Sequence, residues 1–239
     1  MLQKRSVFAL LIGVTLAASS RAALIINEVD SDTVNVPTTD FAEFLELYDT
    51  SGTSVPLDGY VLVFYNGANA SNAVYRAEDL DGKVTRPNGY FVAGAVAGAD
   101  LVIPGNTIQN GGDAIALFLG NAADFTTGQA LSAIPATATL IDAVVYQTGP
   151  DGDADDMVST LLVSGGVVDE FGRDGLAATG ALDSIGRLPN GSGSLRSTLT
   201  YSYMTPTPGA ANTAPVPEPA LFGLVAIGGL LFGACRRAR

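Results

Sequence analysis

Turn-forming residue pairs recur along the middle of this sequence, and they limit the length of any regular element between them. An Asn or Asp followed by Gly readily adopts the positive φ angles of tight turns. A helix that ran through such a pair would lose stability, so the sequence favours short strands joined by turns. Pairs of this kind include those that begin at Asp58, Asn66, Asp81, Asn88, Asn110 and Asn190.

The segments between these turns are rich in β-branched and aromatic residues and have the length of strands. None of them keeps an apolar spacing of 3.6 residues over three turns, which an amphipathic helix requires. The sequence therefore predicts an all-β domain, a sandwich or a barrel. The predicted strands are residues 24–29, 41–48, 60–65, 90–93, 114–119, 140–146, 161–163 and 199–203.

Two segments allow a more detailed prediction, and a third leaves two forms open. Residues 60–65, YVLVFY, are apolar on both faces and should form a central strand. Glu43 and Glu46 are three residues apart, so in a strand their side chains point to opposite faces. We therefore expect at least one of these carboxylates near the core with a hydrogen-bonding partner. Residues 121–133 fit either a long hairpin loop or one short helix.

The N-terminal residues have the features of a secretory signal. Lys4 and Arg5 precede an apolar stretch at residues 7–18, and Ser20-Arg21-Ala22 follows it. This order predicts a signal peptide over residues 1–22 that signal peptidase cleaves after Ala22. The alternative is a permanent membrane helix, but about 20 apolar residues are needed to span a bilayer.

The C-terminal residues form a second apolar segment. A Pro-rich spacer at residues 213–219 ends in Pro217-Glu218-Pro219, and residues 220–235 carry no charge. A helix of that length reaches about 24 Å, against roughly 30 Å of hydrocarbon. We predict a membrane helix at residues 220–235 and a basic cytoplasmic tail at residues 236–239. The alternative, a buried core helix, is disfavoured by the spacer and by the basic residues of the tail. These are Arg236, Arg237 and Arg239.

These three parts, in this order, resemble the PEP-CTERM sorting signal. The resemblance implies a Gram-negative bacterium and processing by an exosortase, a membrane transpeptidase-like enzyme that cleaves near the Pro-Glu-Pro. It implies that Pro217, Glu218 and Pro219 are recognition residues and that the protein accompanies exopolysaccharide production. The protein would be an inner-membrane intermediate first, and would then lie at the cell surface or outside the cell.

A second resemblance covers residues 23–212. The fragments LIINEVDSD, AEFLELYD and LDGYVLVFYNG look like the opening strands of a lamin-tail domain, and NGGDAIALFLG, LIDAVVY, SIGRLPNG and TPTPGAAN look like its later elements. The resemblance implies an immunoglobulin-like β-sandwich that binds or scaffolds, without catalytic residues. It also implies insertions around residues 69–86 and 121–135.

Composition excludes several kinds of chemistry. The chain has no histidine, and its single cysteine is Cys235, so it lacks His-based catalysis and Cys-rich zinc sites. All 24 acidic residues lie between Glu28 and Glu218 with only six basic ones, which gives that span a net charge of −18. Such a surface repels nucleic acid, which is therefore not an expected partner.

One acidic loop is a candidate Ca²⁺ site. Asp151, Asp153, Asp155 and Asp156 lie close together in DGDADD, and such oxygen ligands suit Ca²⁺. The loop is not an EF-hand, because Asp156 replaces the glycine and Leu162 replaces the final glutamate. The alternative is a solvated acidic loop.

The sequence thus predicts an exported, non-enzymatic protein that binds or scaffolds in the envelope or matrix, with extracellular polysaccharide as an expected partner. Apart from Ca²⁺ at the acidic loop, the sequence predicts no cofactor. The alternative function is a carboxylate- and metal-dependent hydrolase of matrix glycans or phosphoesters, since two carboxylates suffice for glycoside hydrolysis.

Overall fold

The computed structural model describes residues 23–32, 42–148, 154–170 and 184–214. Within them, two single-turn 3-10 helices cover Ala122–Asp124 and Leu131–Ala133, and one α-helix, α1, covers Asp155–Leu161. The strands in chain order are β1 (Leu24–Asp30), β2 (Phe44–Asp49), β3 (Tyr60–Asn66), β4 (Ala73–Asp79), β5 (Tyr90–Gly94), β6 (Leu101–Val102), β7 (Gly112–Leu119), β8 (Thr139–Gln147), β9 (Val168–Asp169), β10 (Ser184–Arg187) and β11 (Tyr201–Met204).

The strands form two sheets that pack against each other. The first sheet has the order β11-β10-β1-β2-β5-β6, and the second has the order β4-β3-β7-β8-β9. Neighbouring strands among these are antiparallel except for β5–β6 and β8–β9, which are parallel. This arrangement confirms the prediction of an all-β sandwich.

The main core lies between the sheets. It contains Ile26 from β1 of the first sheet, and Leu62 and Phe64 from β3 of the second. The opposite face of β3 is also buried, because its Val61 belongs to a second apolar cluster that side chains of α1 and the 3-10 helices complete. The predicted central strand at residues 60–65 is therefore confirmed.

Most of the predicted strands are present with shifted ends, and one is wrong. Residues 161–163 are not a strand, because Leu161 ends α1 and the chain then continues without regular structure. The sequence also does not predict β4, which lies in a region expected to be an insertion and carries the charged residues Arg76, Glu78 and Asp79. As β4 is the edge strand of its sheet, it can keep these polar side chains at the surface.

The connection between β7 and β8 contains both 3-10 helices. Because β7 and β8 pair antiparallel, it is a long hairpin loop that contains two helical turns, which is the first of the two forms expected for residues 121–133. In the described part of the chain, none of the helices has the length and apolar character needed to span a bilayer.

Candidate functional site

Several predicted site residues lie outside the described ranges. They belong to the predicted signal-peptide cleavage site, the sorting motif and the basic tail, and their roles stay predictions. These residues are Ala22, Pro217, Glu218, Pro219, Arg236, Arg237 and Arg239.

The predicted Ca²⁺ loop is described only in part. Asp151 and Asp153 lie outside the described ranges, whereas Asp155 and Asp156 are exposed and begin α1. Carboxylates in the first turn of a helix interact favourably with its N-terminal N–H groups, which gives these two residues a structural explanation. Among the residues that the structure describes, no three Asp, Glu, His or Cys side chains converge as a metal site requires.

A groove runs along one side of the sandwich, between edge strands of the two sheets. We call it the edge groove. Its walls are residues 165–169, which include β9, and residues 198–203, which include most of β11. The groove is open to solvent and has a volume of about 320 Å³.

Tyrosines of β11 form one wall of the edge groove. Tyr201 is held firmly, because its hydroxyl donates to the carbonyl of Ile26 at 2.6 Å and its ring centroid lies 4.9 Å from the guanidinium carbon of Arg187. Tyr203 is 37% exposed and Leu199 is 73% exposed, so both present apolar surface to solvent. The groove thus offers an aromatic surface on a firmly held strand.

The other wall is tied to the first by Thr198. Its hydroxyl donates to the carbonyl of Gly166 at 2.7 Å and accepts from the Gly166 N–H at 2.9 Å. The preceding residue, Gly165, has φ +92°, and a Cβ there would overlap the Thr198 hydroxyl oxygen. Only glycine fits at this position, so the sequence allows the two walls to approach closely. Further along this wall, Asp169 of β9 is exposed.

A second polar arrangement lies on the outer face of the first sheet. Glu28 of β1 and Glu46 of β2 are direct partners in the strand register, and both are fully buried. Residues 205–212, which we call the C-terminal strap, cover them. Thr207 donates to Glu28 through its N–H at 2.9 Å and through its hydroxyl at 2.8 Å, and the Gly209 N–H donates to Glu46 at 2.6 Å.

Three asparagines hold the end of the strap. The two N–H groups of the Asn27 amide are shared among three acceptors, a Glu46 carboxylate oxygen at 2.8 Å and the amide oxygens of Asn190 and Asn212 at 3.1 Å each. Asn212 donates in turn to the Asn27 carbonyl at 3.0 Å. The Asn212 amide lies against Gly186, where a Cβ would be only 2.5 Å from the amide nitrogen. The strap therefore depends on a glycine in β10 for its position.

Burial controls the charge of the carboxylate pair. Burial is the main reason that the pKa of Glu46 is raised to about 8; a hydrogen bond from Asn27 acts against it, and the nearby charge of Glu28 adds to it. Burial also raises the pKa of Glu28, although hydrogen bonds from Ser184 and Thr207 lower it. Two like charges in direct cross-strand contact destabilise a sheet, so the pair retains a proton near neutral pH.

A buried ion pair connects the sheets. Arg187 of β10 and Asp142 of β8 are fully buried, with a guanidinium nitrogen 3.0 Å from a carboxylate oxygen. The same carboxylate accepts from the N–H groups of Ile26 at 2.9 Å and Arg196 at 2.6 Å. These contacts satisfy the charge of Asp142 and bring distant segments of the chain together.

The sequence predicts only part of these polar sites. Glu43 and Glu46 are both buried, and Glu43 accepts from the N–H groups of Thr107 and Ile108, which confirms the expectation of at least one partnered carboxylate near the core. The pairing of Glu46 with Glu28 is not predictable from local patterns, because it depends on the register between β1 and β2. The sequence does not predict the edge groove, because β9, which forms part of one wall, has only two residues and therefore no recognisable strand pattern.

No family model and no curated protein sequence matches this chain. Among solved structures, the chain matches a DUF4876 family protein from Bacteroides thetaiotaomicron VPI-5482. The two are 14% identical with a TM-score of 0.42, and the match covers 83% of this chain and 73% of the other.

Proposed function

We propose that this protein is an exported, non-enzymatic binding protein of the bacterial envelope or extracellular matrix, and that its edge groove binds a neutral polysaccharide chain. The observation that supports this most is the open groove with the exposed Tyr203 ring on a firmly held strand. An aromatic ring offers a flat apolar surface to one face of a sugar. In this proposal the sandwich is a lamin-tail-like, immunoglobulin-like domain.

The charges of the groove favour a neutral ligand. Asp169 lies on its β9 wall, and acidic residues dominate the chain as a whole. A polyanionic chain would be repelled by this surface. A neutral sugar would instead donate hydroxyl hydrogen bonds to the Asp169 carboxylate while it stacks on the ring of Tyr203.

The carboxylate pair gives little support to the alternative of a hydrolase. Glu28 and Glu46 are the kind of paired acids that such chemistry uses, but both are fully buried and covered by the strap. A substrate would have to displace those hydrogen bonds before it reached either carboxylate. Binding at the edge groove needs no such rearrangement.

The binding proposal is tested with variants of the groove. Tyr203→Ala and Leu199→Ser should each weaken binding of the mature protein to neutral polysaccharide from the producing bacterium by about tenfold, since each removes contact surface worth about 1.4 kcal/mol. Isothermal titration calorimetry measures this. The control is Val102→Ser, a residue that is 74% exposed on β6 at the far edge of the first sheet. Equal affinity in all four proteins would reject the groove as the binding site.

Export and sorting form a separate part of the proposal, supported by the order of the terminal segments. Signal peptidase would cleave after Ala22, and an exosortase would cleave near Pro217-Glu218-Pro219 after residues 220–235 have held the chain in the inner membrane.

Intact mass of the protein from membrane and medium fractions should then show loss of about twenty residues at each end. Glu218→Ala should retain the C-terminal segment. A mature wild-type protein with its complete C terminus would contradict the sorting proposal.

A further inference from the structure

The C-terminal strap is held on the first sheet at two places, by groups that bind the buried carboxylates and by the hydrogen bonds of Asn212. Its residues have no ionisable side chains, and they reach Glu28 and Glu46 through the N–H and hydroxyl of Thr207 and the N–H of Gly209. All of these strap groups are hydrogen-bond donors toward the pair. The attachment of the strap is therefore linked to the charge on Glu28 and Glu46, which are buried side by side on neighbouring strands.

The groups around Glu28 and Glu46 can stabilise one negative charge on the carboxylate pair but not two. Besides the strap, Asn27 donates to Glu46 and Ser184 donates to Glu28 at 2.5 Å. Arg86 is the cation that acts on Glu46, but it already pairs with Asp100 at 2.9 Å. A second ionised carboxylate would therefore lack a countercharge of its own.

The other ionisable groups near Glu28 and Glu46 do not supply the countercharge that a second ionised carboxylate would need. On β5, Tyr90 is neutral, because burial raises its pKa to about 12, and its hydroxyl accepts from Asn190 at 3.0 Å. On β2, Tyr48 stacks on Tyr90 with the ring centroids 4.6 Å apart. On β10, Arg187 points to the other face of the sheet, where it pairs with Asp142.

We propose that the C-terminal strap is a proton-dependent latch, which stays on the first sheet while the Glu28–Glu46 pair holds a proton and is released when both carboxylates are ionised. Release admits water to the pair and so solvates the second charge. The strap can leave without unfolding the core, because the neighbours Leu45 and Leu47 point into the core and Glu46 therefore lies on the outer face of the sheet. The latch itself does not depend on the proposed polysaccharide binding.

Release would also lengthen the connection between the domain and the C-terminal segment. Eight residues of extended chain add up to roughly 27 Å. If the C-terminal segment is a membrane anchor, as proposed above, the latch sets how far the domain can stand from the membrane. This consequence rests on the sorting proposal, whereas the latch can be tested without it.

The test is amide hydrogen exchange of the full domain between pH 6 and pH 9.5, expressed as protection factors. The protection of the Thr207 and Gly209 amides should fall by up to about tenfold per pH unit while the closed pair holds a proton that the released pair loses, and should level off once the closed pair is ionised, because release is coupled to one proton. Amides of β3 should stay better protected than the strap amides at every pH, because they exchange only when the domain unfolds. Strap protection that is constant over this range, or that equals the protection of β3 throughout, would overturn the proposal.

Variants separate the latch from a merely structural role. Glu46→Gln removes the titrating group, so the strap protection should become independent of pH, whatever its absolute level. Glu28→Gln should also make the strap protection independent of pH, and it replaces Glu46→Gln in the test if that variant fails to fold. The matched control is Glu43→Gln, a buried carboxylate that binds the Thr107 and Ile108 amides away from the strap and should leave the pH profile unchanged. If Glu46→Gln kept the pH dependence of strap protection seen in the wild type, the latch proposal would also be overturned.

Discussion

Arg187 is a fully buried cation, and its effect on stability depends on the partner it meets across the sandwich. The guanidinium pairs with Asp142 and also donates to the carbonyl of Ile26 at 2.8 Å. We expect Arg187→Met to lower the free energy of unfolding by about 3–5 kcal/mol, because it leaves the Asp142 carboxylate buried without its countercharge. Equilibrium urea unfolding measures the change. A second substitution, Asp142→Leu, should restore part of the loss, and a cost below about 1 kcal/mol for the first would contradict this account.

Individual buried polar residues are only partly predictable from the sequence. The spacing of Glu43 and Glu46 is enough to place one of them near the core, because strand geometry sends alternate side chains to opposite faces. Nothing in the sequence around Arg187 indicates that it is buried, since its partner Asp142 lies 45 residues away. Such pairs depend on which strands become neighbours, and short-range patterns do not contain that information.

At the scale of elements, α1 stabilises the sandwich by covering the outer face of the second sheet. Met157 and Leu161 are its fully buried side chains, and they belong to the same cluster as Val63 of β3. We expect Leu161→Ala to lower the free energy of unfolding by about 2–4 kcal/mol, because it opens a cavity under the helix. Thermal and urea unfolding measure this. Asp155→Asn, an exposed change in the same helix, should stay within about 0.5 kcal/mol, and an equal loss in both variants would refute the covering role.

The same elements show which parts of the fold the sequence can predict. Strands with apolar residues on both faces, such as β3 and β7, are predicted because burial on both sides leaves a continuous apolar run. The short edge strands β6 and β9 are not, because two residues carry no detectable periodicity. The prediction of a strand at residues 161–163 is wrong because a short apolar run does not distinguish a strand from the end of a buried helix.

For the whole molecule, the edge groove and the strap show why the candidate sites lie beyond sequence patterns. Each is built from segments distant in the chain that the two sheets bring together: residues 165–169 with residues 198–203, and β1 and β2 with the strap. The turn pairs and strand patterns predict an all-β sandwich or barrel, but not which edges and faces meet. The surfaces that carry the proposed functions are properties of the assembled fold.

The stability of the whole domain should depend on pH through Glu46. Its pKa is raised from 4.5 to about 8 in the folded protein, so between these values the folded state binds more protons than the unfolded state. The free energy of unfolding contributed by this group is therefore greatest below about pH 4.5 and falls as the pH rises toward 8, by up to about 1.4 kcal/mol per pH unit for one full proton.

Urea unfolding of the wild type and of Glu46→Gln at about pH 5, 6.5 and 8 isolates the contribution of the carboxylate pair, because the titrating groups elsewhere are common to both proteins. We expect the wild type to lose stability relative to the variant at each step, since each step removes protons that only the folded wild type binds at this place. A difference that does not change with pH, or that changes in the opposite direction, would mean that Glu46 is already ionised in the folded protein. The buried pair would then hold no shared proton, and its hydrogen bonds to Thr207 and Gly209 would fix the strap at every pH in this range.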